Sequence, residues 1–427
     1  MSTAFSDDFS PISAAGWKQK IQFELNGADY QTLLTKTPEG ITIKPFYHSD
    51  EFEKIVVPNQ TKKAVYFQTI EVNSETEANK IALKAFETGR KSIQFKIYKP
   101  IDLNSLFANL LHKNIDFQLE FTPISAQFIV ECIHFLKDEN AHFYIDVLGN
   151  LCKTGNWAAS QTDDFNILNK LLLRFSNLHI VINADLYQNA GATITQQLAY
   201  TLANCNEYLH QFGGNIGNRI KINFAIGSHF FFEISKIRAF RYLFNLLTKE
   251  YNNSTAILEI NALPSLRNKT YFGLEINTLR IKTELMSAVL GGVDSISTST
   301  VLPEFQKPTK EMASICNETY YIESITKQLA EKALIIFKEI EKGGGFIQQL
   351  KEGTIQRKIN ESAKKEQEQY DTNTFKLIGG NIYFEGGIDA NLSPHFTKKE
   401  YRKTLVTPIT TKRLSIKTEQ KRIQNET

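Results

Sequence analysis

Eight short runs rich in β-branched and aromatic residues, each followed by a stretch with helical spacing, constrain this chain more than any other feature. They lie at 64–70 (AVYFQTI), 92–98 (SIQFKIY), 116–122 (DFQLEFT), 142–148 (HFYIDVL), 179–185 (HIVINAD), 219–225 (RIKINFA), 255–261 (TAILEIN) and 294–299 (DSISTS). Between Glu75 and Thr88, the residues Ala78, Ile81, Ala82, Ala85 and Phe86 fall on one helical stripe. Phe230 to Leu247 and Leu274 to Leu290 repeat that pattern. Eight strand–helix units within about 240 residues match a closed (β/α)8 barrel, which typically needs about 250. An open doubly wound sheet would carry a glycine-rich phosphate turn after an early strand, and none stands there. The expected fold class is α/β: a (β/α)8 TIM-type barrel with an N-terminal arm and a C-terminal helical extension.

The rest of the chain divides around that barrel. The expected organisation is an arm or interface segment at 1–50, the barrel at 51–310, a helical extension at 311–390 and a basic tail at 391–427. Residues 11 to 47 read as an amphipathic helix and a loop, and 324 to 372 as strongly helical. The break at Gly343-Gly344-Gly345 follows Glu341-Lys342, so it reads as a helix-terminating turn rather than a phosphate cradle. The tail, with Lys398, Lys399, Arg402, Lys403, Lys412 and Arg413, reads as a loosely packed, solvated end.

Bulk properties exclude several classes of function. A net charge of +3 over 427 residues gives no case for nucleic acid. No uninterrupted apolar stretch reaches the roughly 18 residues of a membrane helix. Met1 to Asp8 lacks a basic segment followed by an apolar run, so no secretory leader is expected. Cys132, Cys152, Cys205 and Cys316 show no CxxC spacing and read as reduced thiols in a cytoplasmic protein.

The strand faces are unusual. Read with period two, one face is apolar: Ile93, Phe95 and Ile97; Phe117, Leu119 and Phe121; Ile220, Ile222 and Phe224. The other carries Gln94 and Lys96, Gln118 and Glu120, Tyr144 and Asp146, Asn183 and Asp185, Lys221 and Asn223, Glu259 and Asn261. The apolar face must meet the helix ring, so the polar face lines the axis, where Val, Ile and Leu are usual. Either the barrel holds a polar ligand along its axis, or its own long side chains pair and fill it. Lys96 with Glu120 and Lys221 with Glu259, on adjacent strands, favour filling, because buried charges persist only when paired. Asp146 and Asp185 are expected on the same face, as charge partners of Lys96 or Lys221.

The segment Asn183 to Thr193, NADLYQNAGAT, places Gln188-Asn189-Ala190-Gly191-Ala192-Thr193 between a strand and a helix. It resembles the active-site loop of the adenosylcobalamin-dependent acyl-CoA mutases, chiefly the methylmalonyl-CoA mutase family. Phe224 to Ala239 (FAIGSHFFFEISKIRA) is similar to a family segment, as are Thr37-Pro38-Glu39-Gly40-Ile41 and Tyr320-Tyr321-Ile322-Glu323 through Gly343-Gly344. Asn277, Arg280, Glu284, Met286 and Gly291-Gly292 match a family helix and turn. The likeness covers roughly residues 15 to 385.

The resemblance implies that the catalytic positions have changed. The family's catalytic histidine falls on Leu186, its substrate tyrosine on Thr69, its coenzyme arginine on Phe67, and the histidine of a later turn on Ser297. The family's glutamine-bearing run meets Tyr144 to Gly149. The cobalt-binding D-x-H-x-x-G motif is absent, so no catalytic, cofactor-binding or metal residue is expected in this chain. A general acid or base alone is worth about 10²–10⁴-fold, so such losses together would leave no useful turnover. The implied role is a structural small subunit beside a large cobalamin-bearing mutase subunit. That pair would interconvert (R)-methylmalonyl-CoA and succinyl-CoA, with adenosylcobalamin bound by the partner. An independent (β/α)8 enzyme and an acyl-CoA-binding protein, both using the polar axis, are the alternatives. His229, at an expected helix start, reads as a local hydrogen-bonding residue.

Overall fold

The computed structural model describes residues 11–58, 64–122, 125–299, 319–383, 387–388 and 403–426. Met1 to Asp8, Cys316, Lys398, Lys399, Arg402 and the boundaries expected at 310/311 and 390/391 lie outside the described residues. A short arm comes first: a helix Ala14–Glu24 capped by Ser13, then a two-stranded hairpin, β1 (Thr35–Lys36) and β2 (Thr42–Ile43). That helix buries none of its residues.

Eight parallel strands follow: β3 (Val65–Glu71), β4 (Ser92–Ile97), β5 (Asp116–Phe121), β6 (Asn140–Ile145), β7 (Leu178–Asn183), β8 (Ile220–Ile226), β9 (Glu259–Pro264) and β10 (Ser295–Thr298). They close as a barrel in chain order, with β10 pairing back onto β3. Helices cover it between strands, among them Glu75–Glu87, Ile194–Phe212, Phe230–Glu250 and Leu274–Gly291. The outer strand face meets these helices and is dry: Ile93, Phe95, Phe117, Leu119, Phe143 and Phe224 are fully buried. Phe95 and Phe117 pack on Phe107 at ring separations of 5.4 and 5.2 Å, edge to face.

Beyond the barrel, helix Tyr320–Lys342 packs against Ile194–Phe212 and Phe230–Glu250. The buried pair Arg238–Glu323 pins it there. Gly343-Gly344-Gly345 ends it, with φ of 94° at Gly344 and 88° at Gly345, and Gly345–Lys351 and Thr354–Asp371 continue the helical run. The final described segment departs from expectation. Residues 403–416 do not fray but run as a strap across the loops that follow β6, β7 and β9, ending in helix Ile416–Glu426. Leu405 and Val406 N–H donate to Gly155, Ile409 to Cys152, Lys412 to Asn189 and Leu414 to Arg267. Of the strap's own residues, Val406, Ile409, Leu414 and Ser415 are buried against the barrel end. The many Lys and Arg residues hid these four anchors, which follow no helical or strand period.

Candidate functional site: the barrel axis and its C-terminal mouth

Strand register sets which side chains meet on the axis. Thr69 faces Gln94, Gln94 faces Gln118, Lys96 faces Glu120 and Glu120 faces Tyr144. Asn183 faces Asn223, and Lys221 and Asn223 face Glu259 and Asn261. Their side chains join into a belt. Thr69 donates to Gln94 (2.9 Å), and Gln94 donates to Glu120 (3.4 Å). Glu120 also accepts from Asn183 (2.9 Å) and Asn223 (3.4 Å). Asn223 donates to Asn183 (2.7 Å), Asn261 to Asn223 (3.0 Å), and Ser295 and Ser297 to Asn261 (2.9 Å each). The belt draws on every strand but β6, and Asn223, Asn261 and Ser297 are entirely shut from solvent.

Strand β6 enters through Tyr144. Lys221, in the N-terminal half of the axis, lies 4.5 Å over its ring and 5.5 Å over that of Phe67. The same ammonium donates to Gln118 (2.7 Å) and pairs with Glu259 at 2.9 Å. Burial opposes the Glu259 charge, but Lys221 outweighs it and holds the carboxyl below its ordinary range. His142 and His179 also face inward here, rings 5.7 Å apart. Burial drives His179 down to about 4, so its ring is neutral near pH 7. The strand pattern left both histidines unremarked, although they alternate correctly with Tyr144 and Val181.

At the C-terminal mouth the carboxylates stand differently from expectation. Strand β6 ends at Ile145, and Asp146 is the N-cap of helix Val147–Thr154. Its Oδ1 accepts from Gly149 N–H (2.7 Å) and its Oδ2 from Asn183 N–H (3.0 Å). Asp146 is therefore a cap with two backbone donors, not an ion-pair partner of Lys96 or Lys221. Burial raises its pKa to about 7 despite those donors. A Cβ on Gly149 would stand 1.9 Å from the Asp146 carboxylate, so the cap requires glycine there. Asp185 lies past the end of β7, opening the short helix Asp185–Ala190. Burial raises its pKa, and Lys96 partly offsets this. Burial also opposes the charge on Lys96, yet Glu120 and Asp185 outweigh it and hold the ammonium above its ordinary range. Lys96 reaches them only at longer range: among the described residues no hydrogen bond or direct ion pair joins it to Glu120 or Asp185, so the expected Lys96–Glu120 pair is not formed.

Leu186 is 7% exposed and belongs to the main apolar core. It can neither donate nor accept a proton. Its neighbours keep their shape for packing reasons. Tyr187 packs edge-on against Tyr200 and Phe346. Asn189 Oδ1 accepts from Leu266 N–H at 2.9 Å. Gly191 has φ of 99°, and a Cβ there would meet Ala363 at 2.5 Å, so helix Thr354–Asp371 can approach only a glycine. Thr193 and Gln196 form a reciprocal capping box for helix Ile194–Phe212. A similar logic holds for the Phe224–Ala239 segment. Glu233 accepts from Gly227 N–H (2.9 Å) and pairs with Lys236 (2.5 Å), which also donates to Ala225 O (2.7 Å). His229 sits at the helix start without making a cap hydrogen bond; its ring packs on Phe232 instead (4.3 Å).

A cavity of about 530 Å³ opens beside this loop, between Gln188, Gly191, Gly227, His229, Arg267 and the hairpin residues Lys36 to Glu39. No belt residue lines it, so it is not a passage along the axis. No described helix is long and apolar enough to cross a membrane.

A sequence profile of the family described as methylmalonyl-CoA mutase matches residues 144–319 and 317–423. The chain belongs to the methylmalonyl-CoA mutase family. A methylmalonyl-CoA mutase small subunit from Porphyromonas gingivalis is 28% identical over 88% of this chain and 70% of its own length. A methylmalonyl-CoA mutase from Cereibacter sphaeroides is 32% identical over 46% of this chain, and a large subunit from P. gingivalis 28% over 52%. This chain covers only 32% and 35% of the length of those last two. The family is an isomerase family dependent on cobalamin. The resemblance read from the loop and the helix segments thus rests on membership, and the matched span extends into the strap.

Proposed function

We propose that this chain is the structural small subunit of a heterodimeric methylmalonyl-CoA mutase. Its partner is a larger homologue that binds adenosylcobalamin and interconverts (R)-methylmalonyl-CoA and succinyl-CoA. What supports this reading is Leu186, aliphatic and packed in the core at the position where the resemblance puts the family's histidine, together with an axis occupied by its own hydrogen bonds. A thioester arm threading the barrel would have to displace the belt and strip Lys221 from Glu259 and Gln118. Each buried donor left unpaired would cost about 1–3 kcal/mol. Phe67 and Thr69, on the axis beside Gln94, supply no coenzyme cation and no phenol.

The residues present do not fit a bound cobalamin. The two imidazoles inside the barrel, His142 and His179, sit in the N-terminal half of their strands, beside each other rather than at the mouth. The strap covers part of that mouth. We therefore assign the cofactor to the partner. The arm helix Ala14–Glu24, none of whose residues is fully buried by its own chain, and the helices beyond the barrel are the surfaces offered to that partner. The unpaired buried thiols Cys132, Cys152 and Cys205 suit a cytoplasmic setting.

The test is co-expression with a large methylmalonyl-CoA mutase subunit from the same organism. The two chains should purify as one complex, with all turnover abolished by changing the partner's catalytic histidine. The isolated chain should neither isomerise methylmalonyl-CoA nor give heat on titration with coenzyme A. Restoring the imidazole by Leu186→His should leave it inactive. Turnover by the isolated chain, or coenzyme A binding on the axis, would overturn the proposal.

A further inference from the structure

A tight turn in the N-terminal arm plays no part in the mutase reading, yet it holds a reactive pair. Helix Ala14–Glu24 is followed by Leu25-Asn26-Gly27-Ala28, in which Ala28 N–H donates to Leu25 O at 3.0 Å. The two central residues have φ of 49° and 96°, the positive pair of a type I′ turn, for which Asn-Gly is the favoured sequence. Asn26 and Gly27 are both exposed, and apart from its chain neighbours nothing stands within 4 Å of where a Gly27 Cβ would lie. Among the described residues, neither the Asn26 carboxamide nor the Gly27 N–H enters a hydrogen bond.

Four other exposed asparagines share the left-handed backbone: Asn109, Asn114, Asn252 and Asn373, with φ from 52° to 60°. None precedes glycine, and the chain has no second Asn-Gly. After Asn109 and Asn252 the next N–H is already taken, by Phe107 O and Thr248 O at 3.0 and 2.9 Å. After Asn114 comes Ile115, which is fully buried, and after Asn373 the β-branched Thr374. Of the five, Asn26 alone joins an accessible carboxamide to a neighbouring amide that neither a side chain nor a hydrogen bond restrains.

We propose that Asn26 is a site of spontaneous deamidation. The Gly27 nitrogen, giving up its proton, attacks the Asn26 carboxamide carbon. The new C–N bond closes a succinimide ring, the Cγ–Nδ2 bond breaks, and the nitrogen leaves as ammonia with that proton. Water then opens the ring at either carbonyl, giving aspartate or isoaspartate. The turn must open for the attack, and the one backbone hydrogen bond across it is worth only about 0.5–1.5 kcal/mol. Either product puts a carboxylate at the C-terminal end of helix Ala14–Glu24, where the helix dipole opposes negative charge. Isoaspartate also lengthens the backbone inside a two-residue turn, which cannot then keep its I′ form.

The test is incubation of the full chain in mildly alkaline buffer, followed by digestion at acidic pH and mass spectrometry of the peptides. Isoaspartate is counted by methyl transfer from S-adenosylmethionine with an isoaspartyl methyltransferase. Conversion at Asn26 should run at least tenfold faster than at Asn109, Asn114, Asn252 or Asn373, and should speed up as pH rises. Gly27→Ala should slow it at least tenfold, and Asn26→Gln should remove the methyl signal from that peptide. These readouts are by mass and label, so they hold whether or not the variant arm repacks. Conversion no faster than at the other four, or unchanged by Gly27→Ala, overturns the proposal.

Discussion

The outer face of the eight strands carries Phe95, Phe117, Phe143 and Phe224, and the inner face carries Gln94, Glu120, Lys221, Asn223 and Asn261, with Asn183 half-buried at its upper end; both faces are largely withdrawn from water. The outer face is held by apolar area and dispersion, which are non-directional and tolerate exchange of similar volumes. The inner face is held by directional bonds, each of which leaves an unsatisfied partner when one end is removed. The contrast shows how a barrel can keep its fold while its chemistry changes. The outer residues suffice to close the sheet on its helices, so the inner ones are constrained only to satisfy one another. The belt is such a solution.

That contrast can be broken from either side. The largest effect should come from the outer face: Phe117→Ala removes a ring wedged between Phe95 and Phe107. It should cost about 3–5 kcal/mol in chemical denaturation, with no rescue by any inner substitution. Next comes Asp146, whose pH dependence has a defined sign. Its folded pKa, about 7, lies above the ordinary carboxyl value of 3.8, so the folded chain binds its proton more tightly than the unfolded chain. The stability it confers is full below about pH 4 and is lost as pH rises through about 7. Relative to Asp146→Asn, the natural chain should therefore lose up to about 4 kcal/mol between pH 4 and pH 8, at about 1.4 kcal/mol per unit. A difference between the two that stays flat with pH would refute this.

A change to the inner face sharpens the comparison further. Lys221→Met strands Glu259 and Gln118 and should cost about 2–3 kcal/mol, less than a fully buried pair because Glu259 retains 36% of its side-chain exposure. Adding Glu259→Leu should recover most of that loss, since an apolar pair of similar volume needs no partner. Failure of that rescue would mean that the axis demands charge for a reason other than mutual satisfaction. The smallest effect belongs to neither face: Leu173, 81% exposed on helix Gln161–Arg174, should tolerate serine within about 0.5 kcal/mol.

Much of this architecture could be read from residue patterns, because strand alternation and helical stripes are local consequences of burial. The run at 116–122 became Asp116–Phe121, and Phe230 to Leu247 became Phe230–Glu250. The run at 255–261 was displaced to Glu259–Pro264, because pairing with β8 starts only at Lys221 and Glu259. Asp146 and Asp185 continue the strand alternation on paper, yet each falls beyond its strand's end. Aspartate followed by glycine three positions on was the signal for a cap at Asp146. Asp185 offered no comparable sign, since its turn of helix depends on Gly191 and on the helix packed against it. The belt itself was half legible: periodicity placed its members on one face, but only register shows that Glu120 gathers Asn183, Asn223 and Gln94. The strap was illegible, because its anchors bond to backbone far away in the chain.

That distance has a consequence in time. Leu405 bonds to Asn156, 249 positions earlier, and Arg267 donates to Lys412 O, 145 positions later. At a synthesis rate of about 5–20 residues per second, roughly ten seconds to a minute separate the emergence of these partners from the ribosome. A nascent barrel, complete only once Thr298 has emerged, therefore has its upper rim bare for the later part of that interval, and whatever meets the rim during translation arrives before the chain can shut it.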